Sequence, residues 1–207
     1  MSRPHCARCL RPQSHCLCPY IQHCRHRHPL IILQHPSEQK QAKGTAHLAC
    51  LALEQAQLIS GEQPEDFAAL RQAVEQQPQQ YWLIYPSEHS QSLEQQACLA
   101  LTQQTTLHTP ALYPTLIFLD GTWRKAQKLW HLNPWLHALP QFHFTSPPQG
   151  QYKIRKTAIA QGLSTIEAIG YALQQVEAFN PRPLSAILEA LVTQQLKAMP
   201  QQVQARY

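Results

Sequence analysis

Apolar residues in this chain gather in short unbroken runs. "PLIILQHPSE" (29–38), "YWLIYPSE" (81–88) and "TLIFLDGT" (115–122) each contain four or five consecutive apolar or aromatic residues. A strand that is apolar at successive positions has both faces covered, as in a parallel sheet. "FHFT" (142–145) offers a fourth strand. The stretches between have helical spacing instead and predict helices over about 45–59, about 65–77 and part of 91–104. The clearest helix is "LSTIEAIGYALQQVEAF" (163–179). Ser164 and Glu167 spell a capping box there, and Ile166, Ile169, Leu173 and Val176 share one face. A last helix is predicted over roughly 183–198. Strands separated by helices predict an α/β fold, a largely parallel sheet with helices on both faces.

The strand ends share a second pattern. Each apolar run stops at polar residues: His35-Pro36-Ser37-Glu38, then Tyr85-Pro86-Ser87-Glu88, then Asp120-Gly121-Thr122. Open α/β sheets bind ligands beyond the carboxyl ends of their strands. Asp120 is therefore a candidate for chemistry, although Asp also caps helices well and a helix is expected from about Trp123. Gly121 fits a tight turn or the close approach of backbone to a ligand. In 122–131, Trp123, Ala126 and Trp130 fall on one helical face, and Arg124, Lys125, Lys128 and His131 on the others. Core packing is expected for at least one of these tryptophans. The cations suit either a solvated face or a phosphate backbone. Lys153, Arg155 and Lys156, in "YKIRK" (152–156), add to them.

Composition changes this picture little. The 207 residues suffice for one domain and a small appendage. Charged residues make up 14%, and the formal net charge of +5 permits an anionic partner without requiring one. No apolar run reaches the ~18 residues of a membrane span. "MSRPHCARCLRPQSHCLC" also lacks the apolar stretch of a signal peptide. A cytoplasmic protein with reduced thiols is expected.

The cysteines matter more. Four of seven form Cys6-x2-Cys9-x6-Cys16-x-Cys18. Clustered thiolates suit tetrahedral zinc, and four protein ligands make a closed, structural site. A redox CxxC or incidental cysteines are the competing readings, and Cys24, His5, His15 or His23 are possible replacement ligands. Cys50 and Cys98 stand alone in helix-like segments and are expected to be small core residues. No G-x-G-x-x-G, Walker or G-x-S-x-G sequence is present.

Taken in order, "C-x2-C-x-RP-x3-C-x-C", "HPSE", "YPSE", "LDGTWRKA" and "YKIRK…LSTIEA" resemble the DTW-domain family, from about residue 3 to the 170s. The naming Asp-x-Thr-Trp is matched by Asp120, Thr122 and Trp123. The resemblance implies a SPOUT-like fold with a knotted C-terminal region, over 29–200, behind a zinc-binding cysteine cluster in 1–28. It further implies transfer of the 3-amino-3-carboxypropyl group of S-adenosylmethionine to N3 of a tRNA uridine, releasing methylthioadenosine. Asp120 is then the candidate base. Leu83, Ile84, Tyr85, Pro86, Leu119, Gly121, Thr122, Trp123, Leu163, Ser164, Thr165 and Glu167 are candidates for the donor. Arg124, Lys125, Lys128, Lys153, Arg155 and Lys156 are candidates for tRNA. The expected partners are tRNA and S-adenosylmethionine, with no membrane and a monomeric chain. An RNA methyltransferase with the donor's methyl turned inward, and a non-catalytic zinc-bearing RNA-binding protein, are the alternatives.

Overall fold

The computed structural model describes residues 4–39, 41, 43–99, 113–152 and 162–200. The first apolar run forms β1 (Leu30–Gln34), followed by α1 (Ala46–Ala52), β2 (Ala56–Ser60) and α2 (Ala68–Gln76). The second run forms β3 (Tyr81–Ile84); β4 (Gln91–Ser92) leads into a helical segment at 93–99, α3. Then come β5 (Thr115–Asp120), α4 (Trp123–Leu132), β6 (Gln141–His143), α5 (Thr165–Glu177) and α6 (Arg182–Lys197).

The six strands form one sheet in the order β2-β1-β5-β3-β6-β4, with every pair parallel. Alternate side chains explain why the runs are apolar throughout. Leu30, Ile32, Leu116 and Phe118 join one core with α1, α5 and α6. Leu33, Leu83 and Ile117 join a second core with α2 and α4. Both faces are covered, as the patterning predicts. The N-terminal segment packs on the first core: Leu17 is fully buried in it, and Gln194 of α6 donates to the Cys16 carbonyl at 3.4 Å.

The structure corrects two local expectations. Residues 45–59 are not one helix. Leu53 turns extended after α1, and Cys24 takes both exposed backbone groups at the turn: its N–H donates to Ala52 at 2.7 Å and its carbonyl accepts from Glu54 at 3.3 Å. The chain then pairs with β1 as an edge strand, a partnership that helical periodicity cannot register. Cys98 is exposed, not core, whereas Cys50 is partly buried and packs against the first core. The two-residue β4 is too short to carry a pattern.

Candidate active site

β5 runs through the interior of the sheet and ends at Asp120, whose register partner on β1 is Gln34. That pairing builds the site. Gln34 Nε2 donates to Asp120 Oδ2 at 2.9 Å, and the Thr165 hydroxyl donates to Oδ1. Asp120 is 5% exposed, so the carboxylate is nearly out of water and fixed by both oxygens. It ties two strands to the first turn of α5. It does not cap α4, whose N-cap is Thr122.

Gly121 has a steric reason to be glycine. A Cβ there would stand 2.9 Å from Lys125 Cβ, closer than carbon atoms tolerate, so the first turn of α4 could not fold back against the strand tip. Its φ is not positive, so left-handed backbone is not the cause.

The start of α5 is also fixed. Glu167 Oε2 accepts from the Ser164 N–H at 2.7 Å and from its hydroxyl at 2.6 Å, and Oε1 accepts from Gln151 N–H at 2.6 Å. This is the capping box read from the sequence. Thr45 Oγ1 accepts from the Ile166 N–H at 3.4 Å, so the N–H groups of this turn are partly occupied. Leu163 and Glu167 line a cleft between α5, α6 and the segment 148–151.

Other expected donor residues divide by burial. Leu83 and Ile84 are core, and the Leu83 and Tyr85 N–H groups serve the sheet, at 2.9 Å to Pro140 and Phe142. Pro86 is exposed at the strand tip, Leu119 is half-buried, and Gly121 and Thr122 follow Asp120. Trp123 is exposed and stacks on the buried Tyr85, which stacks on Trp130. Trp130 is thus the tryptophan that packs inward.

Acids at the tips of β1 and β2 meet the cations of α4. Lys125 Nζ donates to Glu38 Oε1 at 2.7 Å. Lys128 Nζ at 2.8 Å and His35 Nε2 at 2.6 Å share Glu62 Oε1. Lys128 above all, with His35, holds the Glu62 carboxyl below the usual range. Arg124 is exposed. Lys153, Arg155 and Lys156 lie outside the described residues. Sequence reading named His35 only as a strand-tip residue and missed Gln34, Glu62 and Thr45. Only Gln34 carries a local signal, as the one polar residue in "LIILQ".

The Sγ atoms of Cys6, Cys9, Cys16 and Cys18 all lie within 4.8 Å of one another. Cys6 and Cys18 are 3.6 Å apart, and Cys9 and Cys16 3.7 Å. A tetrahedral ion with bonds of about 2.3 Å separates its sulfurs by about 3.8 Å, so the group could hold a metal. The Cys9 and Arg8 N–H groups point at the Cys6 sulfur and hold its pKa down to about 6, while burial helps push Cys18 up to about 12. Cys24 takes part in the turn at Leu53 instead.

Among curated proteins, the chain is 30% identical to the tRNA-uridine aminocarboxypropyltransferase 2 of Mus musculus, over 89% of this chain and 62% of that protein. It is 29% identical to the Macaca fascicularis protein of the same name, over 89% and 62%, and 31% identical to that of Drosophila melanogaster, over 84% and 67%. The chain thus spans about three fifths of the length of the two mammalian relatives. No solved structure matches it. The model of the DTW domain matches residues 3–196, and the chain belongs to the DTW-domain family.

Proposed function

We propose that this chain transfers the 3-amino-3-carboxypropyl group of S-adenosylmethionine to N3 of a uridine in tRNA. The observation that carries this is Asp120, a nearly dry carboxylate at the carboxyl end of an interior strand, held by Gln34 and Thr165. The relatives' name supplies the reaction class. Uridine N3 is a poor nucleophile until its proton leaves. A carboxylate has about four acceptor positions, and Gln34 and Thr165 use two, so Asp120 keeps room for that proton. N3 then bonds to the aminocarboxypropyl carbon, the carbon–sulfur bond breaks, and its electron pair stays on sulfur. The sulfonium becomes neutral methylthioadenosine. Geometry selects which carbon reacts, because the donor has more than one next to sulfur.

The tips at Leu83–Pro86 and Leu119–Thr122, with Leu163–Thr165 and Glu167, are the surfaces proposed for the donor. Arg124, Lys125, Lys128, Lys153, Arg155 and Lys156 are those proposed for tRNA phosphates. Lys125 and Lys128 would exchange their present acids for phosphate. Zinc is the proposed ion of the four cysteines, structural in role, in a module of 1–28 preceding a SPOUT-like domain of 29–200 with a knotted C-terminal region. No described helix is long and apolar enough to cross a membrane. Action on tRNA as a monomer in the cytoplasm completes the proposal. The test is mass spectrometry of tRNA nucleosides from cells with and without the gene. An aminocarboxypropyl-uridine peak should disappear on deletion and return on complementation. An unchanged nucleoside profile would sink the proposal.

A further inference from the structure

Four aromatic rings form a column on the face of the sheet that α4 covers. His137 lies 3.9 Å from Trp130, Trp130 stacks on Tyr85 at 5.2 Å, and Tyr85 stacks on Trp123 at 5.6 Å with 14° between the planes. The column is buried at its middle and exposed at both ends, His137 and Trp123. Tyr85 is 6% exposed, and Trp123, the first residue of α4, is 48% exposed. Folding explains Tyr85 and Trp130, and His137 is tied to the Trp130 carbonyl at 3.0 Å, but neither account covers Trp123. α4 already anchors itself through Ala126 and Leu129, and a half-exposed indole forgoes much of the burial that makes tryptophan useful in a core. Tyr85 braces the indole and limits its freedom before any ligand arrives. A braced aromatic loses little entropy on binding.

We propose that Trp123 is a stacking platform for a nucleobase of the RNA substrate, which would be the next ring of the column. This rests on the proposed action on RNA. Small donors are held by burying most of their surface. A half-exposed ring instead suits single-stranded or looped RNA, which is recognised by bases stacked on aromatic side chains. Arg124, exposed at the next position, can meet the adjoining phosphate. Trp123 is thereby assigned to the RNA and not to S-adenosylmethionine. Its place three residues after Asp120 brings the stacked base to the same strand tip as the proposed base.

The test is equilibrium binding of unmodified tRNA, and separately of S-adenosylmethionine, to wild type, Trp123→Ala, Trp123→Leu and Trp123→Phe. Removing the ring should cost roughly 5- to 150-fold in tRNA affinity for Ala and Leu, with Phe within about threefold of wild type. Leu retains an apolar contact with Tyr85, so it separates loss of the ring from loss of packing. The slope of affinity against salt should not change, because no phosphate contact is removed. S-adenosylmethionine affinity should stay within about twofold. Wild-type tRNA affinity in the Ala and Leu variants would overturn the inference, as would an equal loss of both ligands or a reduced salt slope. If wild type itself binds no tRNA, the proposed function fails too, an outcome distinct from binding that is indifferent to Trp123.

Discussion

At the scale of single residues, Asp120, the proposed base, and Glu94 are carboxylates held by different sets of hydrogen bonds. Asp120→Asn keeps the side chain's shape. Its amide oxygen can accept from Gln34, and its amide nitrogen can donate to the Thr165 hydroxyl, so melting temperature should stay close to wild type. Single-turnover modification of tRNA should fall about 10²- to 10⁴-fold, the usual cost of losing a general base. Turnover within about threefold would rule out that role. Glu94 accepts from the Thr145 and Ser146 N–H groups and from the Ser92 and Tyr171 hydroxyls. Burial alone would raise its pKa, but its own N–H and those of Thr145 and Ser146, with the Tyr171 hydroxyl, outweigh that and bring it down to about 2. A depressed carboxyl stabilises the fold above its ordinary pKa of 4.5, and the contribution is lost as pH falls from there towards about 2. Glu94→Gln should therefore melt below wild type at about pH 6, with the gap narrowing by about pH 3. A gap that widens on acidification would contradict the assignment. The sequence revealed Asp120 because an acid ending an apolar run is visible locally. Its partners were hidden, since Gln34 meets it through strand register and Thr165 lies 45 residues away in sequence.

At the scale of elements, the cysteine knuckle and α4 make separate predictions. If Cys6, Cys9, Cys16 and Cys18 hold zinc, metal analysis should find about one ion per chain, lost in the Cys16→Ser, Cys18→Ser double variant. Unchanged zinc content would exclude this ligand set. Leu17 packs with α5 and α6, so the double variant should also melt at a lower temperature. On α4, Arg124→Gln should weaken tRNA binding and lower the salt slope by about one. Lys128→Gln should do less, because Glu62 already holds that ammonium. Equal effects would show that phosphate displaces Glu62 without penalty. Strands β1, β3 and β5 were legible because burial on both faces leaves unbroken apolar runs. β2 was not: "AQLIS" continues the spacing of α1, and only its pairing with β1 and the Cys24 turn make it a strand.

Across the whole molecule, charge and topology point to one end of the sheet. The first acidic residue in the chain is Glu38, after five arginines, and the acids that follow at Glu38, Glu62 and Asp120 gather at the strand tips. That end also carries the proposed platform Trp123 and the capped start of α5. The alternation of strands and helices made the α/β class and the polar strand tips readable, whereas the strand order and the sharing of the first core by the N-terminal segment required coordinates. The central claim is the reaction, and identifying both products of one incubation tests it most directly. Purified protein, unmodified tRNA and S-adenosylmethionine should yield aminocarboxypropyl-uridine and methylthioadenosine in equal amounts by mass spectrometry. S-adenosylhomocysteine with a methylated nucleoside, or no donor consumption on tRNA that the protein binds, would contradict it.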